Sequence, residues 1–500
     1  MQNAGVRPAG YSYLIERYAL HAMPVSHASW VSPTGGFRIT RQDGRAEAFY
    51  PLVYWPGDSP GDHLEFALKY DGVELGVLAE LFDRMPDAEL TAWIAPRSTS
   101  KYARRIWFLY EFLTGRLLPI PDLTRINYVD VLEPEQYFVD GSPRRIVRQR
   151  VMDNLLGPVG FCPTVRKTEA LAAMTAIDIR KRCEDLVAEY PADLLRRAMD
   201  YLYTKETKSS FQIENITPSA TRAERFVALL ASAERRDFCE KRSLLEVQNQ
   251  IVDPRFQETD YRKNQNYVGQ SVRYQKQIVH YVSPRPEDLP GLMAGLIECH
   301  SRLKTSGVPA VVHAAVVSYG FVFLHPFADG NGRIHRFLIH NILSLRGQVP
   351  EKVMFPVSAA MLRRPSVYDR SLEVFSKPLL ERIEYSLDEI GQLTVKGDTG
   401  RFYRTLDLTS QAEALYGFIQ MTLEEDLVEE LDFLSSYDRT KRAIQAIVDM
   451  PDAKIDLFVH LCLQNQGRLS HAKREDFFSF LSDEELNRME AAVRDGYSSR

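Results

Sequence analysis

The chain has 500 residues, of which 45% are hydrophobic and 26% charged, and its formal net charge is −5. That balance describes an ordinary soluble globular protein of roughly two to four domains. The mild acidity argues against a general nucleic-acid footprint. The five cysteines (Cys162, Cys183, Cys239, Cys299, Cys462) are scattered, with no CxxC pair and no zinc spacing, which fits free thiols in a reducing cytoplasm. Met1 to Gly10 lacks a cationic stretch followed by an apolar core, so no secretory signal is expected.

Residues 1–140 are rich in Pro, Gly and aromatics and read as an N-terminal α+β accessory region. Phe37–Thr40 and Ala46–Tyr50 flank Asp43-Gly44, the pattern of a hairpin. Leu64 to Phe82 is helical in composition but broken at Asp71-Gly72, giving two helices or a hairpin. Tyr102 to Leu113 carries Ile106, Leu109, Tyr110 and Leu113 at helical spacing. The basic cluster Lys101, Arg104 and Arg105 at its start reads as a solvated face. Arg144, Arg145, Arg148 and Arg150 read the same way.

Residues 141–390 are expected to be mostly helical. A helix from about Ala192 ends near Ser210-Phe211-Gln212-Ile213-Glu214-Asn215. Ser219 and Glu224 bracket a capping signal for a helix running toward Cys239. In Tyr274–Val282, Val279 and Tyr281 are β-prone, and Pro284-Arg285-Pro286 ends the segment before a helix from about Leu289 to Leu303. Ala310 to Leu324 is almost wholly apolar but too short to span a bilayer, so it reads as a buried helix. Residues 391–500 read as a helical appendage, a compact helical unit or a winged helix. Within it, Ile455–Leu463 is apolar and a Ser482-x-x-Glu485 cap precedes the last helix.

The most informative stretch is His325-Pro326-Phe327-Ala328-Asp329-Gly330-Asn331-Gly332-Arg333-Ile334-His335-Arg336. Pro326 disfavours helix at His325, so the chain turns there. Periodicity resumes at Ile334, Phe337, Leu338, Ile342 and Leu345. Gly330-Asn331-Gly332 is therefore expected in a loop feeding a helix N-terminus, where free N–H groups and the helix dipole favour phosphate. Gly330 and Gly332 allow positive φ and close backbone approach. Arg333 and Arg336 share a face, and each can grip a phosphate with two hydrogen bonds. Asp329 is a hard oxygen ligand suited to Mg²⁺. His325 titrates near neutrality and can take a proton from a hydroxyl. There is no HExxH, no Walker A loop and no kinase signature, and His300, His313 and His340 read as packed or surface residues.

These residues match the Fic family motif, His-x-Phe-x-(Asp or Glu)-Gly-Asn-Gly-Arg-x-x-Arg, at every defined position. The resemblance implies a mainly α fold with a Fic-type helical core and a small β-hairpin flap. It implies transfer of AMP from ATP to a Ser, Thr or Tyr hydroxyl of a target protein or of the chain itself. In that scheme His325 is the general base and Asp329 holds Mg²⁺. Asn331 and the amides of Gly330 and Gly332 hold the α and β phosphates, Arg333 the β/γ phosphates and Arg336 the γ-phosphate. Ser210–Asn215 resembles the family's inhibitory motif, (Ser or Thr)-x-x-x-Glu-(Gly or Asn), in which the glutamate, here Glu214, pairs with the second motif arginine. Tyr274–Val282 falls where relatives carry the flap that docks the target. Ser366, Tyr368 and Leu372 fall near the adenine pocket of relatives. Removal of AMP from a modified protein, and a nucleotide-sensing scaffold, stay open as alternatives. The implied partners are ATP and an unidentified target protein. A homo-oligomer stays open, no membrane is expected, and nucleic acid would enter only through a C-terminal winged helix.

Overall fold

The computed structural model describes residues 5–42, 45–273 and 276–497. Asp43 and Gly44 of the expected N-terminal turn, and Tyr274 and Gln275 of the expected flap, lie outside the described residues. The chain divides into two compact units. One holds 1–178, 206–348 and 357–418, and the other holds 179–205, 349–356 and 419–500.

In the first unit, strands Arg7–Ala9, His27–Ser32, Arg45–Pro51 and Arg38–Gln42 lie in that spatial order. The last two form the expected antiparallel hairpin, with Ile39 opposite Ala48. Leu64–Phe82 resolves into two helices, Pro60–Phe66 and Leu75–Arg84, joined by a wider turn over Ala67–Asp71. The helix Lys101–Thr114 runs through a core that includes Trp107, Phe82 and Leu109. It corrects the reading of its basic cluster. Arg104 and Arg105 are buried, at 4% and 0% exposure. Arg105 donates to the Val131 carbonyl and to Glu133, and Arg104 to the Asn127 carbonyl. Each buried guanidinium thus exchanges water for fixed acceptors. Of the second basic stretch, Arg148 is likewise tied, to Glu111 and Asp122.

The helical heart of this unit is Leu289–Leu303, Ala310–Leu324 and Asn331–Leu345. Every residue of Ala310–Leu324 is buried, as a helix apolar on all sides requires. Its neighbour Leu289–Leu303 approaches the backbone at Gly160 and Phe161 so closely that a Cβ on Gly295 would lie 2.6 Å from Gly160 C and Phe161 N. Strands Tyr267–Arg273 and Lys276–Val282 pair antiparallel as the flap hairpin, with irregular register near Val268 and Gly269. Ser219 caps a helix that stops at Ala231, short of Cys239.

The second unit contains the helices Leu427–Gln445, Asp452–Gln464 and Asp483–Tyr497, packed around Phe458, Cys462, Phe478 and Met489. Ser482 and Glu485 form the expected capping box, with the Ser482 N–H donating to Glu485 at 2.9 Å. Among the described residues no strand follows Leu393–Val395, so the C-terminal region is a helical unit and the winged-helix alternative is corrected. All five cysteines are free and buried. Among the described residues, no helix is long and apolar enough to cross a membrane.

Gly295→Ala is expected to destabilise the first unit by about 1–3 kcal/mol, because rigid backbone blocks the added methyl. Thermal unfolding against wild type checks this, and an unchanged melting temperature would contradict it.

Candidate active site

The site grows from the end of the buried helix Ala310–Leu324. His325 caps that helix with φ 49° and ψ 56°, a left-handed conformation that a residue with a Cβ rarely adopts. Pro326 bars further helix and the chain reverses. The His325 ring lies so that Nδ1 donates to the Val322 carbonyl at 3.0 Å. That bond leaves Nε2 as the lone-pair nitrogen. Burial pushes the His325 pKa down to about 4, partly opposed by the Val322 carbonyl, so the ring is neutral at pH 7.

Phe327 is fully buried and anchors the turn, with Tyr261 and Phe321 nearby. Gly330 takes φ 90° at the helix N-cap. Asn331 and Gly332 already belong to the first helical turn, which corrects their placement in the loop. The Asn331 side chain turns inward and braces the loop, its Oδ1 accepting from Phe327 N at 3.1 Å and its Nδ2 donating to Phe327 O at 2.7 Å. Gly332 has ordinary helical geometry. A Cβ there would sit 2.5 Å from Glu214 Oε1.

The two arginines project from one face of the motif helix and converge on Glu214. Arg333 Nε donates to Glu214 Oε2 at 2.8 Å, and Arg336 Nη2 to Oε1 at 2.7 Å. Arg336 also donates to Ser210 Oγ at 2.8 Å and to Ser210 O at 2.7 Å. Arg333 donates from its other nitrogens to Ile251 O at 3.0 Å and Asp329 Oδ1 at 2.7 Å. Both guanidiniums are almost wholly buried, at 0% and 1% side-chain exposure. Burial works against the Arg336 charge, but Glu214 and Tyr368 together offset it and its pKa is raised.

Ser210 lies in the last turn of the helix Ala192–Ile213 and Glu214 directly follows its end, with Asn215 left-handed at φ 56°. One turn before Ser210, the buried Glu206 accepts from His340 Nε2 at 2.8 Å and from Ser358 N at 2.7 Å. Glu206, Ser210 and Glu214 recur every four residues, as do Arg336 and His340, so facing stripes of two helices mate. Sequence reasoning missed Glu206, although its helical spacing from Ser210 was a readable signal. It also missed the engagement of Arg333, which depends on how far apart the two helices lie.

Tyr368 is buried beside His335 on the helix Pro365–Leu380. Among the described residues, no group of three or more His, Cys, Asp or Glu side chains could hold a metal. Asp329 offers one carboxylate, 39% exposed, in the turn before the motif helix. A single hard oxygen suits Mg²⁺ that arrives with substrate phosphates and keeps its other ligands from them and from water.

Residues 238–343 match the model of the Fic/DOC family. The likeness to that family is shown for this segment. The protein adenylyltransferase Fic of Drosophila willistoni is 33% identical over 112 residues, 22% of this chain and 20% of that protein. Its counterpart in Drosophila melanogaster is 32% identical over 112 residues, with the same coverage. The chain spans about a fifth of the length of these relatives. Among solved structures, a Fic family protein from Desulfovibrio desulfuricans G20 aligns at a TM-score of 0.39 and 19% identity, over 66% of this chain and 88% of that one. The Fic/DOC segment ends at 343, so it includes both arginines and His325, whereas Ser210 and Glu214 lie upstream of it.

Two outcomes are expected. By ¹⁵N NMR, His325 carries its proton on Nδ1 and stays neutral as pH falls through 6, protonating only toward about 4; titration near 6.5 would contradict the geometry. Glu214→Ala leaves the buried Arg336 without a carboxylate and Arg333 with Asp329 alone, and is expected to lower the stability of the nucleotide-free protein by about 3 kcal/mol, read by denaturant unfolding.

Proposed function

We propose that the chain is an autoinhibited protein adenylyltransferase, moving AMP from ATP to a Ser, Thr or Tyr hydroxyl of a target protein or of itself. The observation that carries this reading is the Glu214 carboxylate spanning Arg333 and Arg336 beside a neutral His325. The first turn of the motif helix offers N–H groups and a positive dipole end to the phosphates of ATP. Arg333 and Arg336 are the cations able to orient the β and γ phosphates. Glu214 takes the same guanidinium N–H groups, so ATP can enter only in a pose that leaves the γ-phosphate without its partner.

With Glu214 withdrawn, His325 Nε2 accepts the proton of the target hydroxyl. The freed oxygen bonds to the α-phosphorus as the bond from that phosphorus to the bridging oxygen breaks. Pyrophosphate leaves with the electron pair, its charge met by Arg333. Mg²⁺, when bound, would neutralise phosphate charge, and Asp329 is the residue suited to hold it. Asn331 serves this chemistry by bracing the loop, while the Gly332 amide in the first helical turn is available to a phosphate; the Gly330 amide donates to Asp329 Oδ1 at 2.7 Å. The Glu206 contacts with His340 and Ser358 keep the helix docked in register, so that Glu214 meets both arginines.

The test is label transfer from α-labelled ATP with Mg²⁺ in cell lysate. Glu214→Gly is expected to raise incorporation about ten- to a hundredfold, the weight of one charge-assisted contact with phosphate. Adding His325→Ala is expected to remove roughly a hundred- to ten-thousandfold of that rate. Glu214→Gly no more active than wild type at saturating ATP would defeat this reading. Label that persists without His325 would remove the base from the mechanism.

A further inference from the structure

Arg262 is a buried cation that no carboxylate pairs with among the described residues. It is 6% exposed, and burial brings its pKa down to about 10. Its guanidinium is satisfied entirely by backbone carbonyls. Nε donates to His325 O at 2.8 Å, Nη1 to Asn264 O at 2.9 Å and Nη2 to Pro284 O at 2.5 Å. Its own backbone N–H donates to Pro326 O at 2.9 Å.

Those acceptors have a pattern. Asn264 lies just before the flap hairpin and Pro284 just after it. His325 and Pro326 are the turn that presents the catalytic imidazole. Two further bonds repeat the connection: Asn266 Nδ2 donates to Phe327 O at 3.0 Å, and the Tyr281 hydroxyl donates to Phe323 O. The flap strand is itself held from elsewhere, the Tyr403 hydroxyl donating to Val282 O at 2.6 Å. The foot of the flap therefore holds the carbonyls of Phe323, His325, Pro326 and Phe327. A left-handed histidine persists only when its surroundings over-determine it. A planar fork with donors on three nitrogens can reach three carbonyls at once, which an ammonium on a flexible stem cannot do in the same geometry.

We propose that Arg262 is a positioning residue that sets the His325 imidazole for proton transfer and ties that setting to the foot of the flap. This rests on the adenylyl-transfer reading. Arg262 contacts no reacting atom in this arrangement; it acts through the His325 backbone. The charges that bear on the His325 ring are Arg262, Glu214 and Asp329, with the Tyr281 ring 6.2 Å away. Arg262 is the positive one, and it disfavours imidazolium.

The test uses full-length protein carrying Glu214→Gly. Adding Arg262→Lys is expected to lower kcat about ten- to a hundredfold, the scale of a small misplacement of a reacting group. KM and Kd for ATP are expected to stay within about twofold, since no phosphate-facing group moves. The acidic limb of kcat/KM keeps its place with Arg262→Lys and moves to higher pH with Arg262→Gln, which removes the charge. Unchanged kcat with Arg262→Lys overturns the proposal, as does an equal loss of ATP binding and turnover, the mark of a merely structural role. If Arg262→Lys does not fold, Asn266→Ala cuts one tie between the flap and Phe327; a kcat-only fall supports the proposal and unchanged kcat overturns it. If Glu214→Gly transfers no AMP, the functional reading fails on its own. The positioning claim is then decided by ¹⁵N NMR of His325 in otherwise wild-type protein: loss of the single Nδ1-protonated state in Arg262→Lys supports it, and an unchanged spectrum overturns it.

Discussion

One carboxylate between two buried guanidiniums organises this site. Glu214 takes Arg333 with one oxygen and Arg336 with the other. Two cations removed from water on a shared face are stabilised by a common counter-charge. Glu214 supplies it to both, and Asp329 adds a second carboxylate to Arg333. On the proposed reading, the glutamate and the γ-phosphate of ATP compete for the same guanidinium N–H groups. A Cβ on Gly332 would sit 2.5 Å from Glu214 Oε1, so a side chain there would require the carboxylate to shift.

The remainder of the site is bracing. Asn331 spends both ends of its amide on Phe327, and Phe327 is sunk in the core. The wholly buried helix Ala310–Leu324 delivers His325, and burial of the ring keeps it neutral at physiological pH. A base held neutral by desolvation is available before substrate arrives. Glu206 spends its charge on His340 and Ser358, one turn along both helices from the clamp. On the proposed reading, regulation and catalysis share the motif helix, with Arg333 and Arg336 on one side and His325 at the entry to its loop.

Much of this was legible in the sequence where it depended on local patterning. The limits of the helices Ala192–Ile213, Leu289–Leu303 and Ala310–Leu324 follow from apolar composition, a capping proline and stop signals. The hairpin around residues 43–44 and the Ser482–Glu485 box likewise rest on short-range chemistry. Long-range burial was not legible. Arg104 and Arg105 look like a charged surface in one dimension, yet three-dimensional packing brings the Asn127 and Val131 carbonyls and Glu133 to them. Arg262 stands alone in the chain, and only the fold reveals that it gathers three carbonyls from separate segments. Gly332, expected to serve backbone freedom and close backbone approach, does not use the first, and lies beside a residue over a hundred positions away.

The central claim is that Glu214 excludes the productive pose of ATP by holding the arginines. Crystal structures of wild type and Glu214→Gly, each with Mg²⁺ and a non-hydrolysable ATP analogue, test it most directly. The account predicts that only in Glu214→Gly does the γ-phosphate bind Arg336 and the α-phosphorus face His325 Nε2. The same phosphate pose in both proteins, with Glu214 still on both arginines in wild type, would contradict it.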